Sequence, residues 1–201
     1  IQNSKAELIK FLKKSQGDQS ANLVIQKAPK NEPIPLSASQ KRLWMAEKME
    51  SESNSQYNCH ATYQLRGEFK TKAFQRAIDN VIQRHEVLRT VFEESNGEVM
   101  QQVLENTSSA FQFADLRGAP EEDLVHLEDQ VKQKEFDLSQ DVLLRVLVVQ
   151  REENLYNMTL VVHHIASDGW SVAVLIKELK AAYEAYIVDE QPNLPDLPIQ
   201  Y

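Results

Sequence analysis

The strongest hydrophobic pattern in this 201-residue chain is a pair of apolar runs in its second half. Residues 142–149 (VLLRVLVV) are interrupted only by Arg145, and residues 155–162 (LYNMTLVV) follow after a polar turn. Apolar runs of this length between turns are typical of strands buried on both faces of a sheet. We therefore predict that the two runs are central strands of one sheet. An arginine inside such a strand is costly unless it is paired.

The rest of the folded part alternates between helix and strand patterns. Apolar residues recur at helical spacing in residues 71–88 and 121–134, and residues 57–65 alternate between apolar and polar as a half-buried strand does. The Asn96-Gly97 pair predicts a hairpin turn between two further strands. We place His60 on the solvated side of its strand and His85 on the apolar face of its helix, where a buried, hydrogen-bonded histidine is expected.

Another helix is predicted to follow the N-cap candidate Ser37, with Leu43, Trp44 and Met45 as core residues. The preceding segment is more polar. Residues 1–14 contain one short amphipathic helical pattern, which fits either a surface helix or an interaction segment. Residues 15–35 are polar and carry three prolines, so we expect an extended linker. The globular part is therefore expected to span residues 36–201.

Composition narrows the class of protein. The net charge of −8 argues against nucleic acid or an anionic membrane surface as partners, because both attract basic proteins. We find no 18-residue apolar run and no signal peptide, so the expected location is cytoplasmic. A single cysteine, Cys59, excludes an internal disulfide.

The candidate chemistry lies directly after the second apolar run, in the segment HHIASDG at residues 163–169. Histidine is the side chain best suited to proton transfer near neutral pH. Because adjacent residues of an extended segment point in opposite directions, His163 and His164 cannot serve the same atom. We expect one ring to face a reaction site and the other to face inward and bond to the backbone.

The other members of this segment have more than one interpretation. Asp168 could orient the active imidazole, as in a catalytic triad, or pair with Arg145, which the cost of a buried arginine favours. Gly169 permits close approach of a substrate, and the N–H groups of the following helix could stabilise an oxyanion formed in acyl transfer. A metal site is a rival hypothesis, although no third ligand stands at a suitable spacing. A purely structural role is another.

Four segments together resemble condensation domains of nonribosomal peptide synthetases. The segment HHIASDG is similar to the family signature HHxxxDG, and SASQKRLW at residues 37–44 resembles SxAQxRLW, with Ser39 where alanine is usual. The segment RHEVLRTVF at residues 84–92 resembles RHExLRTxF at every fixed position. FDL at residues 136–138, followed by LLR at residues 143–145, resembles a further family segment.

The resemblance implies an α/β fold (an α+β two-layer sandwich) in which a chloramphenicol acetyltransferase-like lobe has a mixed β-sheet flanked by helices. It also implies peptide-bond formation between a donor thioester and an acceptor amine. No cofactor is expected to bind the lobe itself; the substrates are expected on phosphopantetheine arms of donor and acceptor carrier domains. By resemblance, His164 faces the amine as base or positioning group, His163 faces inward, Asp168 pairs with Arg145, and Gly169 lies against the reacting centre.

Further details follow from the same resemblance. The DGWS sequence at residues 168–171 and Tyr57-Asn58 are similar to the subtype that joins two L-residues. Residues 5–12 resemble the last helix of a docking domain for an upstream synthetase subunit. The family continues into a C-terminal lobe that we expect to be absent from this chain, so the isolated fragment is expected to be inactive. A stand-alone CoA-dependent acyltransferase and a non-catalytic carrier-binding module remain alternatives.

Overall fold

The computed structural model describes residues 34–49, 54–95, 97–105, 107 and 109–200. The predictions of an N-terminal helix and of most of the linker lie outside these residues. No helix in the described ranges is both long and apolar enough to cross a membrane. The strands are β1 (Ile34–Pro35), β2 (Asn58–Arg66), β3 (Thr90–Ser95), β4 (Glu98–Val103), β5 (Phe111–Asp115), β6 (Leu144–Glu152) and β7 (Leu155–His163). The α-helices are α1 (Ala38–Met49), α2 (Thr71–Arg84), α3 (Glu121–Gln133) and α4 (Gly169–Tyr186).

The main sheet contains four strands in the order β2-β7-β6-β5. Strands β2, β7 and β6 are antiparallel neighbours, while β5 pairs with β6 in parallel, so the sheet is mixed. The two apolar runs form β6 and β7, the central strands, which confirms their predicted place. Most residues of β6 and β7 are buried, because both faces of the sheet are covered.

Helices on opposite faces of the sheet cover these central strands. Met158 of β7 lies on the face that packs against α4, near Leu179 of that helix. The side chain of the next residue back, Asn157, points to the other face and donates to Glu128 of α3 at 3.3 Å. Side chains alternate along a strand, so His163 projects on the same face as Asn157, the face of α3.

A smaller sheet has the order β1-β4-β3. Its β3–β4 hairpin confirms the predicted turn, and Gly97 has the positive φ of 79° that this turn requires. Strand β1 adds to this sheet two residues, Ile34 and Pro35, that the sequence pattern assigned to the linker.

Two local predictions are wrong. The helix predicted over residues 71–88 ends at Arg84, because His85 has extended backbone angles (φ −101°, ψ 96°) and residues 86–89 form a 3-10 turn. Met45 is not a core residue; it is 46% exposed, whereas its neighbour Trp44 is buried. The prediction for His85 is met in part: its Nε2 atom lies 2.6 Å from Oε2 of Glu178 on α4, but the side chain is only partly buried.

Candidate active site

The segment with the two histidines is a tight turn between β7 and α4. Ala166 N donates to the carbonyl oxygen of His163 at 3.0 Å, and the Ser167 hydroxyl donates to the same oxygen at 3.2 Å. The turn is also tied to the residue just before β2, because His164 N donates to the carbonyl oxygen of Tyr57 at 2.9 Å. These bonds hold the backbone of both histidines in a fixed orientation.

His163 faces into the protein and is 1% exposed. Its Nδ1 atom accepts a hydrogen bond from Ile165 N at 3.2 Å, so the expected bond to backbone is present. The ring of Phe136 meets it edge-on, with centroids 5.8 Å apart, and Tyr57 lies 6.2 Å away. Burial, with smaller contributions from the nearby charges of His164 and Arg145, lowers the pKa of His163 to about 4. The ring is therefore neutral near pH 7.

His164 points the opposite way and is exposed, as the alternation of an extended backbone predicts. Its Nδ1 atom lies 2.7 Å from the carbonyl oxygen of Ser167. A carbonyl oxygen can only accept, so Nδ1 must carry the proton in this bond. In a neutral imidazole the other nitrogen, Nε2, is then free to accept a proton. The turn thus presents a proton acceptor to the outside.

Asp168 does not pair with Arg145, and that prediction is wrong. Asp168 is the N-cap of α4: its Oδ1 accepts from Ser171 N at 2.8 Å and from the Ser171 hydroxyl at 2.7 Å. The Ser171 hydroxyl also accepts from Asp168 N at 3.3 Å, which completes a capping box. Hydrogen bonds from Ser171 lower the pKa of Asp168. The Ser171 N–H, one of the donors expected for an oxyanion, is therefore already used by the cap.

Arg145 finds its partners at the end of α3. Its guanidinium donates to the carbonyl oxygens of Lys134 and Glu135 at 2.6 and 2.7 Å, and to Oδ2 of Asp141 at 3.1 Å. It also stacks over the ring of Phe136, 3.6 Å from the centroid. The requirement that a buried arginine be paired is met, but by the backbone and an acid nearby in sequence. Since Phe136 contacts His163, Arg145 supports the site from behind the inward-facing ring.

Two residues near the site have structural roles that the sequence did not predict. Asn58, at the start of β2, donates through Nδ2 to the carbonyl oxygens of Lys132 and Lys134 at 2.8 and 3.0 Å, and so fixes the end of α3. Glu47 of α1 places Oε2 3.6 Å from Nε2 of His163. A signal for Glu47 exists in the sequence, because it follows the buried residues Gln40 and Trp44 at helical spacing.

The outer side of the turn is open. A Cβ added to Gly169 would meet no atom within 4 Å, and Trp170 beside it is 80% exposed. The turn therefore has open space at Gly169, and the ring of His164 is itself exposed. Within the described residues, no three His, Cys, Asp or Glu side chains are grouped as a metal ion would require.

Comparisons with known proteins all point to the same family. The model of the condensation domain family matches residues 30–201. A linear gramicidin synthase of Brevibacillus parabrevis is 34% identical over 189 residues, which cover 92% of this chain and 2% of that protein. Phosphinothricin tripeptide synthetase PhsC of Streptomyces viridochromogenes is 35% identical over 173 residues, covering 84% of this chain and 16% of that protein. The chain thus spans a small part of the length of these relatives.

Solved structures agree in fold. The X-domain from teicoplanin biosynthesis superposes with a TM-score of 0.76 at 28% identity, covering 87% of this chain and 37% of that one. The starter condensation domain of the rhizomide synthetase RzmA gives a TM-score of 0.76 at 20% identity, covering 84% and 41%. The predicted lobe, a mixed sheet flanked by helices, is confirmed by these matches. On the family match and the agreement in fold, the chain belongs to the condensation domain family found in nonribosomal peptide synthetases.

Proposed function

We propose that this chain supplies the histidine-bearing lobe of a domain that forms a peptide bond between a carrier-bound donor thioester and a carrier-bound acceptor amine. The observation that carries the proposal is the state of His164: an exposed ring whose Nδ1–H is bound to the Ser167 carbonyl, which leaves Nε2 outward and able to accept. A histidine oriented through its second nitrogen is the arrangement of a general base.

The proposed step uses this nitrogen. The acceptor amine hydrogen-bonds to Nε2 of His164 and attacks the carbonyl carbon of the donor thioester. A C–N bond forms, the C–S bond breaks, and the amine proton passes through His164 to the departing thiolate. Gly169 leaves room for the reacting groups, while His163, Asp168 and Arg145 act through the shape of the turn.

The test is substitution of His164 by alanine in the longer synthetase that carries this lobe, with product measured on the acceptor carrier. We expect the product to fall by about 100-fold or more, the scale on which general bases contribute. His126→Ala is the matched control, because His126 is an exposed histidine in the middle of α3. Equal product from the His164→Ala and wild-type enzymes would reject the proposal.

Two narrower parts of the proposal rest on sequence resemblance. Residues 168–171 and the Tyr57-Asn58 pair support joining of two L-residues, which the same assay checks by offering donors of either configuration. Residues 5–12 support docking to an upstream synthetase. Because the chain spans 37% and 41% of the two solved domains described above, we also propose that condensation requires protein beyond these 201 residues.

A second candidate is a binding module without catalysis. One observation favours it: the X-domain from teicoplanin biosynthesis, 28% identical to this chain with a TM-score of 0.78, is known in complex with OxyB. A partner-binding role predicts that the His164→Ala variant of the longer synthetase retains binding of its partner and that the wild type forms no product. Measuring carrier binding alongside product formation separates the two functions.

A further inference from the structure

Glu47 is a buried acid that the proposed reaction does not use. It lies on the inward face of α1 with 8% of its side chain exposed. The nearby turn residue His163 belongs to a different element, at the end of β7, and Oε2 of Glu47 lies 3.6 Å from its Nε2 atom. A buried carboxyl group is costly unless it interacts with a polar partner. The separation is longer than an ordinary hydrogen bond, so the reason for the position of the acid is not a direct bond between these two atoms.

The proton position on His163 gives that reason. Nδ1 of His163 accepts from Ile165 N, so Nδ1 carries no proton, and the neutral ring must carry its proton on Nε2. This Nε2 atom is buried, and a buried N–H is expected to have an acceptor. Oε2 of Glu47 lies 3.6 Å from this atom, too far for an ordinary hydrogen bond but close enough for the negative end of the carboxyl group to favour a proton on Nε2.

The other neighbours of His163 fix the ring in a different way. Phe136 and Tyr57 contact the ring as aromatic groups and set its plane. Two charged groups lie nearby. Arg145 of β6 stacks on the far side of Phe136, and His164 is the next residue in the chain. An oxygen beside one ring nitrogen discriminates between the two tautomers of the ring, as an oriented carboxyl does for the histidines of catalytic triads.

We propose that Glu47 is a positioning residue for the proton acceptor His164. Its carboxyl group holds the Nε2–H tautomer of His163, whose Nδ1 then accepts from Ile165 N and keeps the turn in the shape that projects His164 outward. The proposed tautomer of His163 depends only on the contacts of its ring, whereas the effect of Glu47 on catalysis rests on the proposed function. Glu47 acts through His163 and touches no substrate in this scheme.

Nuclear magnetic resonance of the 15N-labelled chain tests the tautomer claim without an activity assay. We expect His163 as the Nε2–H tautomer and His164 as the Nδ1–H tautomer in the unmodified chain. Glu47→Leu removes the carboxyl group, so the Nδ1–H form of His163 should become populated, while Glu47→Gln, which retains a side-chain oxygen, should preserve the original tautomer. Finding the Nδ1–H form of His163 in the unmodified chain would overturn the proposal, whether or not the variants fold.

The chain offers a matched control for loss of a buried acid. Glu128 of α3 is 8% exposed, like Glu47, but its partners are Lys132 at 2.9 Å and Asn157 at 3.3 Å. Glu128→Leu should lower the melting temperature as Glu47→Leu does and leave the His163 signals unchanged. If Glu128→Leu changes the tautomer of His163 equally, the effect is one of general stability and the positioning role is rejected.

Kinetics in the longer synthetase complete the test. We expect Glu47→Leu to lower kcat on the order of 10-fold or more with little change in KM, since a misplaced catalytic group slows the chemical step. Glu47→Gln should recover most of the loss. If His164→Ala abolishes product but Glu47→Leu leaves kcat unchanged, the positioning role fails and the proposed function stands. If the tautomer shifts as expected but His164→Ala is fully active, the proposed function fails instead.

Discussion

At the scale of single residues, His163 and His164 have identical side chains and opposite surroundings. His163 is enclosed by Phe136, Tyr57 and Glu47, whereas His164 is exposed and bound by Nδ1 to the Ser167 carbonyl. The backbone bonds they make leave the proton on different nitrogens of the two rings. One strand end thus provides both an internal support and an external proton acceptor.

Burial of His163 predicts a specific pH dependence of stability. The pKa of His163 is about 4 in the folded chain, against an ordinary value of 6.5. Above pH 6.5 the titration of His163 does not change the free energy of unfolding, because the ring is neutral in both the folded and the unfolded chain. As the pH falls from 6.5 to 4, the unfolded chain binds a proton that the folded chain does not, so the free energy of unfolding decreases, by on the order of 3 kcal/mol in total.

Urea unfolding of the wild type and of His163→Gln between pH 7 and pH 4 measures this contribution. Carboxyl groups titrate in both proteins, so the informative quantity is the difference between the two pH profiles. The variant should be less stable at pH 7 but should lose less stability on acidification. Parallel profiles would show that His163 is protonated as easily in the folded as in the unfolded chain.

At the scale of elements, the end of α3 is fastened to the sheet by two side chains from different strands. Asn58 of β2 binds the carbonyls of Lys132 and Lys134, and Arg145 of β6 binds those of Lys134 and Glu135. The last carbonyls of a helix have no partner within the helix itself. The two strands therefore satisfy this end of α3 and at the same time hold Phe136 against His163.

Arg145→Ala should destabilise the chain by about 2 to 4 kcal/mol, because it leaves two backbone carbonyls and one acid without their cation. Arg145→Lys should recover only part of this, since an ammonium group cannot reproduce the planar fork. A double-mutant cycle in chemical unfolding identifies the partner. We expect coupling between Arg145 and Asp141, and additive effects for Arg145 and Asp168; coupling to Asp168 would restore the pairing expected from sequence.

At the scale of the whole molecule, the buried central strands of the main sheet lead to an exposed turn. The central strands β6 and β7 are buried along most of their length, and the turn that follows β7 opens outward beside Gly169 and Trp170. The two tryptophans of the chain report on these two environments. Trp44 is 8% exposed on the inner side of α1, while Trp170 is 80% exposed at the start of α4.

Fluorescence quenching by acrylamide checks this arrangement. The wild type should contain one readily quenched and one protected population of emission. Trp170→Phe should remove the quenched population and leave blue-shifted, protected emission from Trp44, with little change in melting temperature, because an exposed side chain contributes little to packing. Strong quenching of the remaining emission would contradict the buried position of Trp44 on α1.

The sequence by itself determined those features that depend on local periodicity and on matched motifs. It identified β6 and β7 as central strands, the β3–β4 hairpin, the opposite directions of His163 and His164, and the family. These follow from repeats of two or about 3.6 residues and from the turn preference of Asn96-Gly97, which act over a few neighbouring positions.

Only the tertiary structure decided which groups are partners. It assigned Arg145 to the end of α3, gave Asp168 to the cap of α4, and brought Glu47 of α1 to His163 of β7. An ion pair or a buried hydrogen bond depends on distances of a few ångströms between side chains from separate elements, and residue spacing does not encode such distances. The proton positions on the two histidines follow from those contacts, so they too could be assigned only once the chain was folded.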